Sequence, residues 1–122
     1  MHGRGLIISA AILAALAGPA LGQERPPAAR QALVDLSYVL GESHALRQAC
    51  AGADDQYWRQ RMQRVLDVEA PDDAFKARLA RSFNTGYAAG QTGFPGCTPA
   101  TRAEAAASAL RGKTLADRLG AP

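Results

Sequence analysis

Two cysteines, two histidines and one tryptophan are all that this chain of 122 residues holds of those three types. Each scarcity removes a class of chemistry. Cys50 and Cys97 lie far apart, so there is no Cys-x-x-Cys for dithiol redox work or haem attachment. His2 and His44 are also far apart and form no cluster for zinc. No metal or cofactor is called for. No serine or cysteine stands in a recognisable nucleophile setting. Alternating strand patterns and internal repeats are missing too, which leaves an all-α reading. No apolar run reaches the roughly 20 residues that span a bilayer.

What is present begins with an address. Arg4 makes a positive start, and Leu6 to Ala17 is a short apolar run. Gly18-Pro19 breaks it, and Ala20-Leu21-Gly22 places small residues where a signal peptidase reads. The pattern predicts a signal peptide over 1–22, cut between Gly22 and Gln23. A retained anchor is the competing reading, and the run is short for one. The expectation is export to a bacterial periplasm, with no stable membrane span after cleavage. Arg4 is the only charged residue of 1–22, so residues 23–122 carry 13 basic and 11 acidic side chains, a net +2. So small an excess is weak evidence for an anionic partner, and the compartment argues against nucleic acid.

One hundred residues make one domain with a modest core. Residues 23–29, with Pro26-Pro27, read as a flexible lead, and a single helical domain follows over 30–120. A first helix is expected from about Ala28 to Cys50. Leu36, Val39, Leu40, Ser43, Leu46 and Cys50 share one stripe of a 3.6-residue period. His44 borders that stripe, where a hydrogen-bonded boundary role competes with a ligand or base. Arg47 falls within it, where a packed stem with a solvated head competes with binding. Gly41 marks either a close neighbour or a tolerated glycine.

Asp54 or Asp55 is expected to cap a second helix from about Asp55 to Glu69. Trp58, Met62, Val65, Leu66 and Glu69 form its stripe, with Trp58 as core anchor. Arg59, Arg61 and Arg64 form either a solvated surface or an anion-binding face. Ala70-Pro71 ends the helix. Pro71-Asp72-Asp73 opens a third, whose stripe runs Phe75, Leu79, Ser82, Phe83, Gly86, Gly90. Its small end predicts a close crossing by another helix. Tyr87 lies beside that small face, and Asn84 points farther round. Residues 90–96 read as too glycine-rich for helix, with a turn at Phe94-Pro95-Gly96. Thr98 and Pro99 start the last helix, and Thr101-x-x-Glu104 gives an overlapping cap signal. Leu110, Leu115 and Leu119 are its main apolar groups.

An even cysteine count in an exported chain argues for a Cys50–Cys97 disulfide. The expected architecture is all-α: a compact bundle of about four helices stapled by that one bond.

The motifs Leu40-Gly41-Glu42, His44, Trp58-Arg59, Phe83-Asn84 with Gly86-Tyr87, and Cys97-Thr98-Pro99 carry a resemblance. The chain resembles a family of short exported alphaproteobacterial proteins of unknown function, marked by two well-separated cysteines. The likeness covers about Leu33 to Leu119, and the loop at 90–96 is more glycine-rich than the family pattern. The resemblance implies export and the disulfide, and it supplies no activity.

Three function classes follow. The first is a non-enzymatic domain that binds a protein of the cell envelope. The second is a small-molecule or peptide binder built on His44, Arg47, Asn84 and Tyr87. The third is a small hydrolase using His44 with Glu42 or Glu69. A cleft lined by His44, Arg47 and Tyr87 would favour a ligand; a flat patch would favour a protein.

Overall fold

A computed structural model describes residues 25–120. The expected signal peptide at 1–22 lies outside the described residues. Helix α1 spans Pro27–Ala51, α2 Tyr57–Glu69, α3 Asp73–Gly93 and α4 Pro99–Gly120. Local chemistry explains the boundaries. Pro27 occupies the first turn of α1, where its missing N–H costs nothing. Gly52 ends α1 at φ 103°, a conformation that favours glycine. Asp72 caps α3 by accepting the Phe75 amide at 2.8 Å. Thr98 accepts the Thr101 amide at 3.3 Å in front of Pro99. α2 ends at Ala70, which Pro71 keeps out of the right-handed helical region.

Several expectations need correction. α1 begins at Pro27, so residues 27–29 of the expected lead are helical. Just before it, Arg25 grips Glu69 at 2.8 and 2.9 Å and donates to the Leu119 carbonyl at 3.2 Å. α2 starts two residues later than expected; Asp55 still accepts the Tyr57 amide at 3.1 Å. α3 continues helically through residues 91–93, so only its last part turns at Phe94. The second cap signal of α4 is not used. The Thr101 hydroxyl donates back to the Gly96 carbonyl, and Glu104 pairs with Arg111.

α1 is the hub. The other three helices pack against it and make little contact with one another. Accordingly α1 is buried on several faces, not one stripe: Ser37, Gly41 and Ala45 are covered as well as Leu36, Leu40 and Leu46. The apolar cluster joins Leu33, Leu36 and Leu40 of α1 to Met62 of α2 and to Phe75, Leu79 and Phe83 of α3.

The close crossing lies between α1 and α3. A Cβ at Gly86 would fall inside the carbonyl oxygen of Tyr38, and one at Gly90 would come to 2.8 Å from the Ala45 Cβ. Gly41 is the reciprocal partner, since its Cβ would fall inside the Phe83 carbonyl oxygen. The structure thus decides the Gly41 alternative in favour of a close neighbour. α4 also meets α1 through small groups. Ser43 and Ser108 share a buried hydroxyl–hydroxyl bond at 2.7 Å, and Gly112 faces Val39. Leu110, one of the main apolar groups of α4, is 65% exposed, because the small face of α4 is the one turned inward. Cys50 and Cys97 are bonded, tying the end of α1 to the chain just before α4, with Cα atoms 4.8 Å apart.

Candidate functional site

The sequence singled out His44, Arg47, Asn84 and Tyr87; the structure brings His44 and Tyr87 together as packed rings and leaves Arg47 and Asn84 apart from them. His44 is only 4% exposed, so it is a core residue and not a boundary one. Its ring lies against Phe83 and Tyr87, with centroids 5.7 and 5.2 Å away. Its Nδ1 is buried with no hydrogen-bond partner. Burial first, and then the charge of Arg59, hold its pKa below the ordinary 6.5, against a smaller opposing pull from Asp55. Glu42 pairs with Arg111 and Glu69 with Arg25, so both carboxylates considered for a histidine–acid pair are engaged elsewhere.

Tyr87 donates its hydroxyl to Gln48 at 2.6 Å. With Gln48, Gln91 and Phe94 it lines a small cleft of about 340 Å³. His44 and Arg47 do not line that cleft, and neither does Asn84, which is exposed on α3. Arg47 instead turns toward α2. It pairs with Asp55 at 2.8 Å and places its guanidinium 4.5 Å from the centroid of Tyr57. Burial would raise the Asp55 pKa, but hydrogen bonds from Arg47 and the Tyr57 amide outweigh it and hold the carboxyl below 3.8.

A larger concavity lies where α2 and α4 diverge over α1. This groove measures about 730 Å³. Leu33, Leu36 and Leu40 form its floor. Trp58, Val65 and Val68 form the α2 wall, and Ala109, Ala116 and Leu119 the α4 wall. It exists because α2 and α4 each pack on α1 without packing on each other. Trp58, expected as the core anchor of α2, packs against the core cluster but is only half-buried, on a wall of the groove.

The rim is basic. Arg25, Arg61, Arg64 and Lys113 line the groove against one acid, Glu69, which Arg25 already grips. Arg61 lies 4.5 Å from the Tyr57 centroid and 5.6 Å from that of Trp58, and it donates to the Tyr57 hydroxyl. Tyr57 and Trp58 meet edge to face at 5.0 Å. Lys113 pairs with Asp117 at 2.8 Å on an exposed turn. Arg64 is exposed and has no ion pair among the described residues.

The arginines of α2 were visible in the sequence as a choice between solvated surface and anion-binding face. The groove itself was not. The signal that could have found it is the set Trp58, Arg61, Val65, Val68, which puts basic and apolar groups on one helical face. Among the described residues no group of three His, Cys, Asp or Glu is placed to hold a metal ion. None of the described helices is long and apolar enough to cross a membrane.

Comparison with known proteins places the chain. No curated protein and no solved structure matches it. The model of a family described as protein of unknown function, DUF2385, matches residues 29–121. With most of its length matched, the chain belongs to the DUF2385 family of proteins of unknown function.

Proposed function

We propose that this is an exported, periplasmic domain that binds a protein of the cell envelope without catalysis, and that the groove between α2 and α4 is its binding surface. The observation that carries the reading is the groove: an apolar trough of about 730 Å³ with aromatic and basic walls. Contiguous apolar surface of this kind, rimmed by polar groups, marks interaction sites on small domains. Export rests on the sequence of residues 1–22, and the disulfide suits an oxidising compartment. Mass spectrometry of the exported protein should find a chain beginning at or near Gln23. An intact 122-residue species held in the membrane would refute export. A photo-crosslinking residue at Val68 should trap a discrete envelope protein in cells, and one at Asn84 should not. Loss of any Val68 adduct would refute the groove.

A second reading, a small-molecule or peptide site beside Tyr87, has the cleft of about 340 Å³ in its favour. Adducts from Asn84 or Gln91 in place of Val68 would support it.

A further inference from the structure

We infer that the occupant of the groove is an amphipathic helix of the partner, about three to four turns long, with an apolar stripe flanked by acidic residues. This rests on the groove reading above and specifies its chemistry.

Length comes first. α2 has 13 residues, so its wall runs about 20 Å at 1.5 Å per residue. A helix of similar length lies alongside it. Shape comes second. The α4 wall presents Ala109, Gly112 and Ala116 at helical spacing, with the Lys113 side chain beside them and largely in solvent. Small side chains allow a helix backbone to approach closely, and this fold already uses the device where Gly41 and Gly86 let α1 and α3 cross. On the opposite wall, Trp58, Val65 and the exposed Val68 supply larger apolar contacts at i, i+7 and i+10. One wall small and one wall large is a groove into which a ridge of leucine-sized side chains fits.

Charge comes third and sets the sign. Four of the five charged side chains lining the groove are basic. Arg64 has no counter-ion among the described residues, and Arg61 has its Nε buried with no acceptor. Acidic residues flanking the incoming stripe satisfy the α2 arginines on one side and share Lys113 with Asp117 on the other. A second copy of this chain is the wrong occupant, because two such grooves would face each other with like charges.

Trp58 is the only tryptophan and lines the groove, so it reports occupancy directly. The probe is a designed helical peptide of 14 residues with leucines on one stripe and glutamates beside it. Its control has lysine for every glutamate. With the disulfide-intact protein, the acidic peptide should shift Trp58 emission to the blue, saturably, and more weakly as salt rises. The basic control should bind at least tenfold more weakly. Arg64→Glu and Lys113→Glu should each weaken the acidic peptide about threefold to tenfold, as expected for exposed pairs. Both sites are exposed, so far-ultraviolet circular dichroism should be unchanged. The inference is overturned if the two peptides bind equally, or if neither moves Trp58 at millimolar concentration. It is also overturned if only oleate does, or if sedimentation shows a dimer that buries Trp58. The Val68 crosslink is read separately: an envelope-protein adduct with either peptide result against it means the chemistry failed and the site held, whereas a dimer burying Trp58 with only self-adducts at Val68 means the site reading failed too.

Discussion

Replacing Gly41 by alanine is the sharpest perturbation of this fold. In an exposed helix, Gly→Ala would stabilise by up to about 1 kcal/mol through propensity alone. Here the added Cβ would fall inside the Phe83 carbonyl oxygen and come to 2.9 Å from the Tyr87 nitrogen. Both atoms belong to backbone, which cannot rotate away as a side chain can. α1 and α3 must therefore separate, loosening Leu40, Leu79 and Phe83, which share one cluster. Overpacking costs about 1–3 kcal/mol, and a backbone clash belongs at the upper end. After the propensity gain, the net loss is about 2 kcal/mol. For a domain of this size that lowers Tm by roughly 8–16 °C. Gly86→Ala meets the Tyr38 carbonyl in the same way and should cost a similar amount. The double variant should lose less than the sum, since the first alanine already opens the crossing. Gly93→Ala, with no atom within 4 Å, is the control and should change Tm little or raise it slightly. Thermal unfolding followed by circular dichroism reads all four. A Tm unchanged or raised by Gly41→Ala or Gly86→Ala would refute the close crossing. The sequence alone left Gly41 open between a close neighbour and a tolerated glycine; the backbone clash at its Cβ puts it on the same footing as Gly86.

Other outcomes are equally definite. A thiol assay on denatured, unreduced protein should find no free cysteine, and reduction should remove about 4 kcal/mol in the chain-entropy account of a loop with separation 47. His44 has a folded pKa below 6.5, so the unfolded chain binds the proton more readily. Stability should be constant above about pH 6.5 and fall as pH drops below it. In His44→Phe that slope between pH 6.5 and 5 should vanish; an identical slope would show that another group is responsible. Glu69→Ala removes the partner of Arg25 at the groove's edge and should cost about 1–3 kcal/mol in urea unfolding. Ser108→Ala should cost about 1 kcal/mol by leaving the Ser43 hydroxyl without that bond.

The helices were largely legible because their signals are local. Periodic apolar residues, Asp72, Thr98-Pro99 and Ala70-Pro71 act within one or two turns of where they stand. The overrun of α3 to Gly93 shows the limit. Propensity disfavours glycine there, but the preceding turns are held by the crossing with α1 and carry the helix on. The candidate site was less legible. His44 looked like a boundary residue because one stripe was counted on α1, whereas three helices cover that helix. Tyr87 and His44 do meet, but as packed rings, while Arg47 is taken by Asp55 and Tyr57.

The sequence by itself determined the all-α class, the four elements and the pairing of the only two cysteines. Those follow from period, from capping chemistry and from count, none of which depends on how distant segments meet. Tertiary structure alone decided that α1 is the hub and that Gly41 and Gly86 serve one crossing of α1 and α3. It also decided that α4 turns its serine and glycine inward while Leu110 faces out. The groove belongs to the same category. It is a gap between α2 and α4, and a gap has no residues of its own in the sequence. It arises because the two helices each satisfy their apolar faces on α1 and leave Trp58, Val65 and Leu119 overlooking the space between.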